Sequence, residues 1–252
     1  MAGSDAVPQL DRGSYDAALF DLDGVLTDTA RVHAAAWKRL FDDFLRARAE
    51  REGAPFREFD IEGDYLVYVD GKPRYDGVRS FLASREIELP EGEEDDPPES
   101  ESVRGLGLRK DGFVKEVMAR DGVEAYPTSV ELVRKLREQG FRTAVVSSSH
   151  NCAAALEVAG IADLFDSRVD GVVIDEMGIP GKPAPDSFLE AARQLGVAPE
   201  RAIVVEDAIS GVEAGRAGGF GLVIGVARKG DAGELARHGA HHVVADLGEL
   251  LD

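Results

Sequence analysis

Five short apolar segments constrain the fold of this chain more than any other feature of its sequence. Each is almost continuously apolar and lacks the alternation of polar and apolar positions that marks a half-exposed strand. Segments of this kind are typical of strands that are buried on both faces of a parallel sheet. The five segments span residues 17–20, 143–146, 202–205, 221–224 and 242–244.

Segments with helical periodicity lie between these predicted strands, and the alternation predicts a doubly wound parallel α/β sheet. We expect Gly140, Gly160 and Gly196 to end three of the helices, because glycine tolerates the left-handed backbone that closes a helix. Asp186 is the expected N-cap of the helix that Gly196 ends. The helical segments span residues 129–139, 151–159, 186–195 and 211–217.

The alternation is interrupted between the first and second predicted strands. Residues 29–50 have the periodicity of one long helix, and shorter helical pieces without a buried strand come after it. We therefore predict an α/β core domain, residues 14–28 and 127–252, and a helical cap domain, residues 29–126, that covers the carboxyl edge of the sheet. Residues 91–102 carry seven acidic residues and two prolines, which indicates a solvated loop. An acidic recognition surface is the alternative.

Composition limits the partners and the location. The chain has 252 residues and a formal net charge of −19, so it gains no affinity for nucleic acid or acidic membranes through counterion release. A small phosphorylated substrate is compatible with this charge, because charges more than about 8 Å apart are largely screened at physiological salt. With no apolar run near the roughly 18 residues of a membrane span, no signal-peptide pattern at the N-terminus and a single cysteine, Cys152, we expect a cytoplasmic protein. We also expect a monomer.

Acidic residues follow two of the predicted strands. Asp21 and Asp23 end the first strand, and period-2 geometry places them on one side of the sheet, at the edge where open α/β sheets bind ligands. Glu206 and Asp207 follow the strand at 202–205. Carboxylates are ligands that Mg²⁺ prefers, so the four residues predict a magnesium site. Each pair taken alone is also compatible with a turn or a helix cap.

Two further segments offer groups that bind phosphate. Ser147, Ser148 and Ser149 follow the second predicted strand, where their hydroxyls and the start of the next helix would form a phosphate-binding site. Lys182, in a loop with two prolines, supplies a point charge for a phosphate or a carboxylate. Helix capping by the serines and a surface position for the lysine are the alternative interpretations.

Together, these four segments resemble the haloacid dehalogenase superfamily of phosphatases and phosphomutases. The resemblance implies a Rossmann-like core with a helical cap inserted after the first strand. It also implies that Asp21 is the nucleophile that forms an aspartyl-phosphate and that Asp23 is the general acid and base. Ser147 and Lys182 would hold the transferring phosphoryl group. The matching segments are DLDGVLTDT at 21–29, SSS at 147–149, GKPAPD at 181–186 and VVEDA at 204–208.

The resemblance also implies how magnesium is held. The ligands would be the carboxylates of Asp21 and Asp207 and the backbone carbonyl of Asp23. Glu206 would lie in the same coordination shell or next to it.

The segment DTARVHAAAWK at 28–38 resembles the β-phosphoglucomutase-like subfamily of this superfamily. This resemblance implies that Thr29 marks the junction of core and cap and that His33 couples cap closure to acid–base chemistry. A partly buried helix histidine is the alternative for His33.

The same resemblance assigns substrate contacts to the cap. Arg74, with Arg79 as the second choice, would bind the phosphate that is not being transferred, and Lys110 would contact the sugar phosphate. Solvated surface charges are the alternative. The insert is longer than in this subfamily at 48–62 and 89–106, which bears on the substrate more than on the reaction. The remaining expected substrate-binding residues are Ser148, Ser149, Asn151 and Trp37.

The resemblance implies a Mg²⁺-dependent interconversion of β-D-glucose 1-phosphate and glucose 6-phosphate through β-glucose 1,6-bisphosphate. Two other functions use the same fold. One is a phosphatase for a sugar phosphate or another small phosphoester, with water as the acceptor. The other is a non-catalytic regulator that binds a phosphosugar.

Overall fold

The computed structural model describes residues 8–228 and 232–251. Part of the N-terminal segment in which we expected no signal peptide, residues 1–7, therefore lies outside the described residues. The chain divides into two compact units. The first, here called the α/β unit, lies within Met1–Thr29 and Val123–Asp252, and the second, here called the helical unit, is Ala30–Gly122.

A six-stranded sheet forms the centre of the α/β unit, with strand order β3-β2-β1-β4-β5-β6 and parallel pairing throughout. The predicted fold class and all five predicted strands are confirmed. The sequence analysis missed β3, a three-residue strand with one buried position, because so short a segment gives no periodicity. The strands are β1 Ala17–Phe20, β2 Arg142–Val146, β3 Ser167–Val169, β4 Ala202–Glu206, β5 Leu222–Val226 and β6 His242–Val244.

The register of the central strands sets the position of the polar residues that follow them. Phe20, at the end of β1, pairs with Val145 of β2 and with Val205 of β4. Both central strands β1 and β4 are completely buried, as their continuous apolar sequences predict. Since the three strands end level with one another, the residues that follow them meet at one edge of the sheet.

The α-helices of the described residues include the four predicted between strands, each shifted by no more than two residues at either end. Helices α6 and α9 were not predicted. Asp186 is not an N-cap, because Pro185 already has helical backbone angles and takes that place. In chain order, the α-helices are α1 Ala30–Glu52, α2 Arg74–Ser84, α3 Val103–Asp121, α4 Pro127–Glu138, α5 Cys152–Val158, α6 Gly171–Met177, α7 Asp186–Leu195, α8 Ile209–Ala217 and α9 Ala232–Arg237.

The helical unit consists of α1, α2, α3 and a π-helix, Ile61–Val69. Its core is aromatic: Trp37 stacks on Phe41 with ring centroids 5.2 Å apart, and Phe41 contacts Phe59 and Phe81. Residues 91–102 form no helix or strand and are mostly exposed. Arginines of the helical unit bind both ends of this acidic segment, through the ion pairs Arg79–Glu91 and Arg51–Glu101.

The observed division differs slightly from the predicted domain boundaries. Thr29 belongs to the α/β unit, where it hydrogen-bonds to Thr27 with their hydroxyl oxygens 2.7 Å apart. Residues 123–126 also belong there, because Tyr126 N–H donates to the Leu26 carbonyl at 2.9 Å. Among the described residues, no helix has the length and apolar character needed to cross a bilayer.

Candidate active site

Lys182 joins two buried carboxylates at the carboxyl edge of the sheet. Its Nζ donates to Asp21 Oδ1 at 2.6 Å, to Glu206 Oε1 at 2.5 Å and to the Val146 carbonyl at 3.0 Å. Lys182 and Asp21 are 2% and 6% exposed, and Glu206 is completely buried. Asp21 follows β1, Glu206 ends β4 and Lys182 contacts the last residue of β2. Because Lys182 is buried, the surface alternative for it is wrong.

The electrostatics of this cluster follow from its burial. Burial by itself would lower the pKa of Lys182, but the negative charges of Asp21 and Glu206 outweigh it and raise that pKa above its ordinary value. Burial raises the pKa of the Asp21 carboxyl, Lys182 opposes this, and Glu206 and Asp23 add to it by repulsion. Lys182 is therefore cationic, and it neutralises only part of the negative charge around it.

A third carboxylate completes a compact group of oxygen atoms. One oxygen each of Asp21, Glu206 and Asp207 lies within 4.8 Å of the other two. Asp207 packs directly on Gly24, where a Cβ atom would lie 1.8 Å from Asp207 Oδ2 and where φ is +89°, so glycine is required. The three carboxylates lie close together, and every ligand atom that they offer is an oxygen. These residues therefore fit a hard divalent cation such as Mg²⁺.

Asp23 lies outside this group of three carboxylates. Its Oδ1 accepts a hydrogen bond from Thr29 Oγ1, and its Oδ2 accepts one from Ser147 Oγ at 3.3 Å. The Asp23 side chain therefore binds hydroxyl groups. This is compatible with the resemblance, which implies that Asp23 binds the metal through its backbone carbonyl.

The loop after β2 holds the predicted serines, and Ser147 contacts Asp23. Ser147 is completely buried, and its Oγ also accepts from the backbone N–H of Ser149 at 3.1 Å. Ser149 Oγ accepts from the N–H of Asn151 at 3.2 Å. Ser148 lies between them in the same loop, so the serines order the turn that Asn151 ends before α5.

The helical unit gathers a second set of predicted residues. Lys110 is only 6% exposed; its Nζ lies 2.9 Å from His33 Nδ1 and 5.0 Å from the centroid of the Trp37 ring. Arg74 forms an ion pair with Asp111 at 3.3 Å. Trp37, expected to bind substrate, is 3% exposed; its ring stacks on Phe41 in the aromatic core and lies next to Lys110.

Arg79, the second choice for the distal phosphate, already forms ion pairs with Asp76 and Glu91. The sequence analysis also missed Tyr126 and Arg228, which lie beside the loop after β1. Arg228 follows β5 at the same edge of the sheet as the acidic residues, so the rule that identified those residues could have identified it too.

Comparison with known proteins identifies the family. The family model described as haloacid dehalogenase-like hydrolase matches residues 15–219, and the chain belongs to this family of enzymes. It is 52% identical over 238 residues to a β-phosphoglucomutase from Mycobacterium bovis, covering 93% of this chain and 91% of that one.

Two further relatives agree with this likeness. A β-phosphoglucomutase from Bacillus subtilis is 29% identical over 210 residues, covering 83% of this chain and 82% of that one. The crystal structure of a β-phosphoglucomutase from Clostridium difficile superimposes with a TM-score of 0.72 at 26% identity, covering 94% of this chain and 93% of that one.

Proposed function

We propose that this protein is a β-phosphoglucomutase, which interconverts β-D-glucose 1-phosphate and glucose 6-phosphate. The buried Asp21–Lys182–Glu206 cluster supports phosphoryl transfer, a reaction in which positioning and charge do most of the work. The observation that carries the choice of mutase is the likeness to the Mycobacterium bovis β-phosphoglucomutase, because it extends through the helical unit as well as the α/β unit.

The proposed chemistry begins at Asp21. One carboxylate oxygen of Asp21 attacks the phosphorus atom, and the bond from phosphorus to the sugar oxygen breaks. Asp23 gives its proton to that leaving oxygen, and a donor at this position is worth about 10²–10⁴-fold in rate. Lys182 and Ser147 would hold the phosphoryl oxygens. When bound by Asp21, Glu206, Asp207 and the carbonyl of Asp23, Mg²⁺ would offset negative charge on the phosphoryl group.

The mutase cycle uses the phosphorylated aspartate twice. Phospho-Asp21 gives its phosphoryl group to O6 of β-glucose 1-phosphate, whose proton passes to Asp23, and β-glucose 1,6-bisphosphate forms. After the intermediate reorients, its 1-phosphate is transferred to Asp21 and glucose 6-phosphate leaves. Arg74 and Lys110 would bind the phosphate that is not being transferred, and His33, in contact with Lys110, would couple that binding to acid–base chemistry.

A product assay separates the mutase from a phosphatase, which would use water as the acceptor. The enzyme is incubated with β-glucose 1-phosphate, Mg²⁺ and a trace of β-glucose 1,6-bisphosphate, and glucose 6-phosphate and free phosphate are both measured. We expect glucose 6-phosphate to dominate, with a rate that the bisphosphate stimulates. A predominance of free phosphate would overturn the proposal.

We further propose that the enzyme works as a monomer in the cytoplasm. Cys152, the single cysteine of the chain, is buried, so the described structure depends on no disulfide. Sedimentation equilibrium of the purified enzyme would test the oligomeric state, and a mass near 27.0 kDa is expected.

A further inference from the structure

Arg228 lies at the centre of a polar network beside the loop that follows β1. Its side chain is 12% exposed and forms an ion pair with Asp246 through one terminal nitrogen. The other terminal nitrogen donates to Ser129 Oγ at 2.9 Å, and Ser129 in turn donates to the Val25 carbonyl at 2.7 Å. The guanidinium carbon lies 4.0 Å from the centroid of the Tyr126 ring, a cation–π distance.

Tyr126 binds the other side of the same loop. Its hydroxyl donates to Asp28 Oδ1 at 2.9 Å, and its backbone N–H donates to the Leu26 carbonyl at 2.9 Å. An antiparallel bridge between Thr27 and Ala125 lies between these bonds. Burial raises the pKa of Tyr126, as do the hydrogen bond to Asp28 and the charge of Asp28, so the phenol stays protonated and keeps its role as donor.

The network therefore holds the loop after Asp23 at two points, the Val25 carbonyl and the Asp28 carboxylate. Arg228 acts on Val25 through Ser129, and Tyr126 acts on Asp28. Asp28 precedes Thr29, whose hydroxyl donates to the Asp23 carboxylate. A displacement at either point would move Asp23 or its hydrogen-bond donor, while the Asp21–Lys182–Glu206 cluster is held by other contacts.

We propose that Tyr126 and Arg228 are positioning residues that keep the Asp23 carboxyl in place for proton transfer. Neither side chain needs to contact substrate for this role. This inference rests on the proposed function, which supplies β-glucose 1-phosphate as the phosphoryl donor. The claim itself concerns the step in which Asp23 gives a proton to the leaving oxygen.

Two phosphoryl donors with different leaving groups test this role. Acetyl phosphate has a good leaving group, so its reaction with Asp21 needs little help from an acid, whereas a sugar phosphate needs the proton from Asp23. The variants are Tyr126→Phe, which keeps the ring and removes the hydroxyl, and Arg228→Gln. Tyr15→Phe and Arg134→Gln, on a partly buried tyrosine and an exposed arginine of the same unit, are the matched controls.

We expect kcat for β-glucose 1-phosphate to fall by about 10-fold or more in both variants, since small misplacements of catalytic groups cost up to about 10²-fold. KM should change less than kcat, and the single-turnover rate of Asp21 phosphorylation by acetyl phosphate should stay within about 2-fold of wild type, by the same argument. The control variants should match wild type in both reactions.

Unchanged kcat in Tyr126→Phe would overturn the proposal, and so would an equal fall with both donors, which is the result that general destabilisation produces. Tyr126→Phe keeps the test decisive if Arg228→Gln does not fold. If wild type released free phosphate from β-glucose 1-phosphate, the mutase proposal would fail by itself, and the two-donor comparison would proceed with phosphate release as its readout.

Discussion

At the scale of single residues, the buried polar groups of the α/β unit show how contacts determine the role of a side chain. Asp21 and Asp23 are two positions apart in the sequence and have different partners. Asp21 binds Lys182, whereas Asp23 accepts hydrogen bonds from Thr29 and Ser147. The first is therefore held next to a cation, which favours the ionised form that a nucleophile needs, and the second is held by two hydroxyl groups.

Asp21→Asn should abolish turnover of β-glucose 1-phosphate and leave substrate binding measurable, because the amide keeps the shape of the side chain but is a poor nucleophile. Calorimetric titration and the product assay measure the two quantities. Asp163→Asn, at an exposed position of the same unit, is the control. Undiminished turnover in Asp21→Asn would refute its assignment as the nucleophile.

Two buried serines make a matched comparison of stability. Both are completely buried in helices, but Ser187 Oγ has no hydrogen-bond partner among the described residues, whereas Ser129 Oγ bonds to Val25 and Arg228. Ser187→Ala should leave the free energy of unfolding unchanged or raise it by up to about 1 kcal/mol, and Ser129→Ala should lower it by about 1–3 kcal/mol. Urea unfolding measures both, and equal losses would contradict this account.

At the scale of elements, the central strands and their register determine most of the active site. Continuous apolar sequence predicted β1 and β4, and parallel pairing brings the residues after them to one edge. The sequence did not indicate β3, because a three-residue strand is too short to show a period. Helix α7 was predicted over its full length, since its apolar positions repeat over ten residues.

Helix α7 also contains an ion pair, between the buried Glu190 and the exposed Arg193, whose contribution depends on pH. Hydrogen bonds from Arg193 and Gln194 lower the pKa of Glu190 from 4.5 to about 2. A lowered carboxyl pKa stabilises the fold above the unfolded value of 4.5, and this stabilisation is lost as the pH falls through the folded value. The Arg193 side chain is 70% exposed, so solvent screens the pair.

Glu190→Gln should therefore lower the free energy of unfolding by only about 0.5 kcal/mol at neutral pH, and the difference from wild type should shrink as the pH approaches 3. Urea unfolding at the two pH values measures this. Glu176→Gln, at an exposed position of α6, is the control. A loss for Glu190→Gln that grows in acid would contradict the sign.

At the scale of the whole molecule, a strong negative charge coexists with a site for phosphates. The net charge of −19 is spread over the chain, while the site residues place cations locally. Lys182 in the α/β unit and Lys110 in the helical unit are both nearly completely buried. Because salt screens distant charges over about 8–10 Å, we expect cations near a bound phosphate to affect its affinity more than the total charge does.

A divalent cation should stabilise the folded enzyme, because the folded chain brings the carboxylates of Asp21, Glu206 and Asp207 together. Mg²⁺ should raise the midpoint of thermal unfolding, and a ligand at about 100 times its Kd contributes about 2.7 kcal/mol. Asp207→Asn should reduce this shift, and Asp163→Asn should keep it. An absent shift in the wild-type enzyme, measured after treatment with a chelator and readdition of Mg²⁺, would contradict the predicted metal site.

The sequence by itself determined the parallel α/β architecture and the acidic edge, because burial on both faces requires continuous apolar strands and period-2 geometry sets the side of the sheet on which the next residues lie. Tertiary structure alone decided which side chains meet. Lys182 lies 161 positions from the Asp21 carboxylate it binds, Tyr126 lies 98 positions from Asp28, and Trp37 stacks on Phe41 in an aromatic core. Such pairings depend on which elements become neighbours, and local periodicity carries no information about that choice.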